Sequence, residues 1–126
     1  IGAVLVPGAA APKLVREDVV ERMKKGAVLV DVAIDQGGCF ENSRKTSHDD
    51  PTFKVHDTIF YCVANMPGAV ANTSARALGS ATLPYMRAVA ADGFDGAVER
   101  YPGLGDGLMT RGGELLSQPV KDAFGL

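Results

Sequence analysis

The sequence contains no apolar run approaching ~18 residues, the length that spans a bilayer as a helix, so no transmembrane helix is expected. No signal-peptide pattern stands at its start. Only two cysteines occur, Cys39 and Cys62. They are too few and too unpatterned for a disulfide framework or a thiolate metal site, and reduced thiols in a cytoplasmic protein are expected. Basic clusters are absent too, and the net charge over 126 residues is -2. That argues against nucleic acid or an anionic membrane surface as the main partner. Neither His48 nor His56 has a second histidine or a carboxylate at helical ligand spacing, so no metal site is expected. Internal repeats and low-complexity tracts are missing. So are an initial Met and a polar lead-in: the chain opens in a mid-strand pattern and reads as a fragment lacking its amino-terminal part.

What is present is organised around Gly26 to Cys39. Ala27 to Ile34, interrupted only by Asp31, is apolar and rich in β-branched residues, the pattern of a strand buried on both faces of a parallel sheet. It stops at Asp35-Gln36-Gly37-Gly38. Ligands of open α/β sheets bind at the carboxyl ends of the strands, so Asp35 stands where chemistry is usually done. A turn in which Asp35 caps the next segment explains the same pattern equally well.

Upstream, Ile1 to Val6 is a short apolar run closed by Pro7-Gly8, consistent with a buried strand. Arg16 to Lys25 carries Val19, Val20 and Met23 at helical spacing, with Lys24 and Lys25 near its end and Gly26 at C′. Strand, helix and strand in about thirty residues predict a right-handed βαβ unit. Phe40 to Asp57 is polar and too long for an inert connection, which suggests a functional loop. Thr58 to Ala64 reads as a third strand, ending in Asn65-Met66-Pro67-Gly68. Three strands thus finish in loops that could share one cleft.

From Asn72 the period becomes helical, with Leu78, Thr82, Tyr85, Met86 and Val89 on one broad face. Pro84 should bend this helix or leave a carbonyl unpaired, and Asp92-Gly93 should end it. The change of period places a domain boundary near Ala71. Gly103, Gly105 and Gly107 do not have G-x-G-x-x-G spacing and no buried strand precedes them, so they read as a surface turn. Leu115, Leu116, Val120 and Phe124 allow a short terminal helix with Pro119 near its start.

Several stretches together are recognisable: Val30-Asp31-Val32-Ala33-Ile34-Asp35-Gln36-Gly37-Gly38-Cys39-Phe40-Glu41, then Ser43-Arg44, then Tyr61 to Val70. With Val4 to Ala9 and Ala81 to Tyr85 they resemble alanine dehydrogenases, colinearly over the whole chain and roughly over the last third of such an enzyme. The resemblance implies interconversion of L-alanine with pyruvate and ammonia, NAD as cofactor, and a homo-oligomer, usually a hexamer. It implies an α/β fold in which residues 1–71 are the second half of a Rossmann-type parallel sheet. A long helix then leads into residues 72–126, the returning part of a discontinuous substrate domain.

Position by position, Asp35 matches the family's catalytic aspartate beside the nicotinamide. Val32, Ala33 and Ile34 match the strand end passing the cofactor, and Val63, Ala64, Asn65 and Met66 the loop closing over the nicotinamide side. Val4 and Leu5 match the strand near the adenosine half, and Arg44 a further cofactor contact. The residue types suit this, since a nicotinamide needs an apolar wall and a carboxylate can manage protons on substrate nitrogen and water. Ala10 and Lys45 depart from the family, which commonly has lysine and proline there, as does Ala71, where proline is frequent. Missing altogether are the G-x-G-x-x-G, the acidic residue for the adenosine ribose, and the substrate-binding arginine, lysine and catalytic histidine, so this chain alone is expected to be inactive.

Two other readings compete. The NAD-binding subunit of proton-translocating transhydrogenase shares the strand pattern, but typically has a Gln-Asn type pair where this chain has Asp35-Gln36. A non-catalytic nucleotide-binding or oligomerisation module is the third.

Overall fold

The computed structural model describes residues 1–126. They form two compact units, Ile1–Ala69 and Val70–Leu126. In the first, helix α1 (Glu17–Glu21) precedes strand β1 (Val28–Val30) and a hairpin of β2 (Thr52–Val55) and β3 (Thr58–Tyr61). The sheet order is β1-β3-β2. β1 pairs with β3 in parallel, matching Val28 to Ile59, Leu29 to Phe60 and Val30 to Tyr61. β2 pairs with β3 antiparallel, so the sheet is mixed where an all-parallel one was expected.

The hairpin turns at His56-Asp57, with His56 at φ 51. A non-glycine residue carries that left-handed conformation, so the usual Asn-Gly signal is absent and β2 hides inside a polar stretch.

The expected strand through Ile34 ends four residues early. Its last residue in the ladder with β3 is Val30, and Val32–Gln36 is a 3-10 turn. Asp31 is the cause: its carboxylate accepts the Ala33 N–H at 3.0 Å, offering the backbone a turn in place of the next ladder bond. This also accounts for the first apolar run. Gly2 makes one parallel bridge to Asp31, donating to Val30 O at 2.8 Å and accepting from Val32 N at 2.7 Å. Beyond it Ala3 to Val6 find no strand beside them, because their neighbour has turned away. The predicted Arg16–Lys25 helix is likewise shorter. Past Glu21 the chain closes in turns, and Gly26 N–H binds Asp57 O at 2.8 Å, anchoring it to the hairpin.

β1 is not buried on both faces. Leu29 is buried while Val28 is 58% exposed, and Val30, Ile59 and Tyr61 on that same face are half-buried. The covered face holds the core: Val20 of α1, Leu29, Phe60, Phe40, Ile34 and Cys62. Phe60 meets Phe40 edge-on at 6.2 Å between centroids and stacks on Phe53 at 5.2 Å.

The second unit begins with α2 (Ala71–Arg100). Its backbone departs from helical geometry at Gly93, with φ 69 and ψ 178, and not at Pro84. Gly93 therefore breaks the helix without ending it. A one-turn helix α3 (Gly103–Asp106) occupies the glycine-rich segment, where a plain turn was expected. The two-residue strands β4 (Thr110–Arg111) and β5 (Glu114–Leu115) pair antiparallel, and α4 (Gln118–Phe124) closes the chain with Pro119 in its first turn. No helix is long and apolar enough to cross a membrane.

Candidate functional site

Because β1 and β3 are parallel, their carboxyl ends lie side by side, and the loops leaving them start from one edge of the sheet. A cleft of about 300 Å³ opens beside the turn that leaves β1, lined by Ala3, Val4, Leu5, Val32, Ala33, Asp35 and Gln36. Five of the residues singled out in the sequence therefore line one space: Val4, Leu5, Val32, Ala33 and Asp35. Four of them are aliphatic, which gives an apolar wall with one carboxylate on it.

Asp35 extends from the 3-10 turn with its side chain 57% exposed. Its Oδ2 accepts the Asn65 N–H at 3.3 Å, and Lys45 Nζ lies 3.8 Å from Oδ1. The first contact joins the loop after β1 to the loop after β3. Asn65 sits at φ 52, and its carbonyl is 3.1 Å from His48 Nε2. Thr46 holds the same loop from below by a parallel bridge to Val63. Ala64 and Met66 are half-buried, and Met66 opens a 3-10 turn to Val70.

Six predicted positions do not line the cleft: Ala64, Asn65 and Met66 on the loop after β3, and Ile34, Val63 and Arg44. Ile34 is buried in the core, Val63 is fully buried beneath its loop, and Arg44 lies over the Phe53 ring at 4.1 Å from its centroid.

Sequence reasoning missed two features. Gln36 lies on the cleft wall with its Oε1 buried and without a hydrogen-bond partner in the chain. Asp31, passed over inside an apolar run, is fully buried and accepts hydrogen bonds from Ala33, Cys39 and Ser43. A signal for Asp31 existed, since an aspartate among β-branched residues must find donors if it is buried. Cys39 and Cys62 are buried free thiols. Burial pushes both thiols up, and for Cys39 the adjoining Asp31 carboxylate adds to it. Both stay protonated at neutral pH and are poor nucleophiles.

Residues 1–118 match the family model described as alanine dehydrogenase/PNT, C-terminal domain. The chain is 63% identical over 120 residues to an alanine dehydrogenase of Mycolicibacterium smegmatis, covering 95% of this chain and 32% of the relative. A solved L-alanine dehydrogenase is similar at TM-score 0.75 and 46% identity, over 98% of this chain and 34% of its own. A solved transhydrogenase from Sinorhizobium meliloti is similar at TM-score 0.50 and 30% identity, over 56% of this chain and 19% of its own. The chain thus spans about a third of the length of the alanine dehydrogenases it matches.

Proposed function

The chain belongs to the alanine dehydrogenase/PNT C-terminal domain family, and from that premise we propose that it supplies the nicotinamide-facing part of an NAD-dependent alanine dehydrogenase. The observation that carries the proposal is the cleft between residues 3–5 and the turn leaving the carboxyl end of β1, with Val4, Leu5, Val32, Ala33 and Asp35 on its wall. The reaction is reversible oxidative deamination of L-alanine to pyruvate and ammonia.

The residues present suit a nicotinamide. Its ring needs an apolar surface, which Val4, Leu5, Val32 and Ala33 give, and its carboxamide needs a hydrogen-bond acceptor. Gln36 Oε1, buried and without a partner, is one. Bound NAD supplies the hydride acceptor of the reaction. Asp35 takes or returns a proton at the substrate, held toward the cleft by the Asn65 N–H. Met66, half-buried on the same loop, shields the coenzyme from water. Arg44, Ile34, Val63 and Ala64 support these segments from behind.

Residues 1–71 are, in the same proposal, the carboxyl half of a Rossmann-type domain, and 72–126 the returning part of a substrate domain. The parallel β1–β3 pair and the cleft beside the turn leaving β1 support the first assignment. A homo-oligomer, usually a hexamer, follows from the resemblance alone, and a cytoplasmic location from the two unpatterned cysteines. The transhydrogenase reading has weaker support, because Asp35 stands where that subunit typically carries an amide.

The coenzyme site is tested by fluorescence titration with NADH, using an intact protein of the relatives' length that contains this chain. Met66→Ala should weaken NADH binding by ~1–2 kcal/mol, roughly tenfold, through lost apolar contact, with little change in melting temperature. A large fall in melting temperature at unchanged NADH affinity would place Met66 in the core and remove it from the site.

A further inference from the structure

Asp31 does not line the cleft, yet four groups of the chain donate to its carboxylate. Its side chain is fully buried. Oδ1 accepts from Ala33 N–H at 3.0 Å and faces Cys39 Sγ at 3.4 Å. Oδ2 accepts from Cys39 N–H at 2.8 Å and from the Ser43 hydroxyl. No cationic side chain pairs with it.

The two backbone donors bracket one segment. Ala33 lies at the start of the turn that carries Asp35, and Cys39 just beyond its glycine exit. One side chain thus ties both ends of residues 32–39. The fit is close. A Cβ on Gly38 would stand 2.8 Å from Asp31 Oδ2 and 2.6 Å from Ser43 Cβ, and Gly38 has φ 74 besides. From the other side Lys13 Nζ donates to Gly37 O at 2.7 Å and Gly38 O at 2.8 Å. An apolar side chain would fill the same place at lower desolvation cost, so what the carboxylate adds is a fixed backbone path.

We infer that Asp31 is a positioning residue for the cleft: by holding both ends of residues 32–39 it sets Val32 and Ala33 on the wall and Asp35 at the mouth. The inference rests on the dehydrogenase reading for its catalytic consequence, and on the hydrogen bonds alone for its structural one. The two are tested separately.

In the intact protein, Asp31→Asn keeps the size but turns one acceptor into a donor facing donors. Hydrogen–deuterium exchange should quicken in residues 32–39 and stay unchanged in β3. With NADH, pyruvate and ammonium, kcat should fall ~10-fold, yet less than ~2-fold when the substitution is made in an Asp35→Asn background, because the group being positioned is already gone. Thr58→Ala, buried at the far end of β3, is the control: it should loosen the core and leave kcat per folded molecule unchanged. Should Asp31→Asn not fold, Ser43→Ala removes a single donor and should give the same local pattern in milder form. Exchange rising equally in 32–39 and in β3, or an equal kcat loss in both backgrounds, would overturn the inference. Absence of turnover by the unsubstituted protein would defeat the dehydrogenase reading, and the exchange pattern would then decide the inference by itself.

Discussion

Asp35→Asn in the intact protein should lower turnover of pyruvate, ammonia and NADH by ~10² or more while the fold and part of the NADH affinity persist. The expectation comes from what Asp35 touches. Its side chain is more than half exposed, and its polar partners are the Asn65 N–H at 3.3 Å and Lys45 at 3.8 Å. An exposed ion pair of that kind contributes little to stability. An asparagine at the same place can still accept the Asn65 N–H, so the loop after β3 keeps its tie. What the amide cannot do is take up a proton. A structural explanation of the loss is thereby removed, since size, hydrogen bond and exposure are all retained. Turnover within a few-fold of the unsubstituted protein would refute the acid–base role.

The largest expected effect on stability is at Phe60. Phe60→Ala should cost ~3–5 kcal/mol, read as a lower denaturant midpoint. Phe60 is fully buried at the centre of the three-stranded sheet. Its ring is edge-on to Phe40 and stacked on Phe53, which in turn carries Arg44 on its other contact. Truncation removes the ring both neighbours pack on, and two rigid aromatics on separate elements cannot close the gap together. A domain's whole stability is typically ~5–15 kcal/mol, so this one change consumes a large share of it. A cost under ~1 kcal/mol would mean that the sheet packs differently from the arrangement described.

How much of this was legible in the sequence differs from residue to residue. The apolar run at 27–34 marked the core, and Asp35-Gln36-Gly37-Gly38 marked where the chain leaves the sheet. Gly37 at φ 91 and Gly38 at φ 74 are the turn those letters suggest. Hydrophobic periodicity could not show that Asp31 ends the strand first, because a side chain bonding its own backbone leaves no trace in the period. Nor could it show β2, whose Lys54 and exposed Thr52 look like loop and whose turn lacks glycine. Gly93 was visible as a helix breaker, but a glycine with φ 69 can redirect a helix as well as stop it, and composition does not distinguish the two. At the site, the carboxylate and the aliphatic wall were readable as residue types. Arg44 was not, since its place over Phe53 depends on the hidden strand. Gln36 became notable only once its buried oxygen was found without a partner.

The central claim is that this cleft serves hydride transfer between NAD and a small amino acid. The direct measurement is NADH consumption, followed by its absorbance, with the intact protein, pyruvate and ammonium. The account predicts steady oxidation of NADH that requires pyruvate and ammonium together and collapses with Asp35→Asn. NADH left unconsumed with both present, by a folded protein that binds it, would contradict the account.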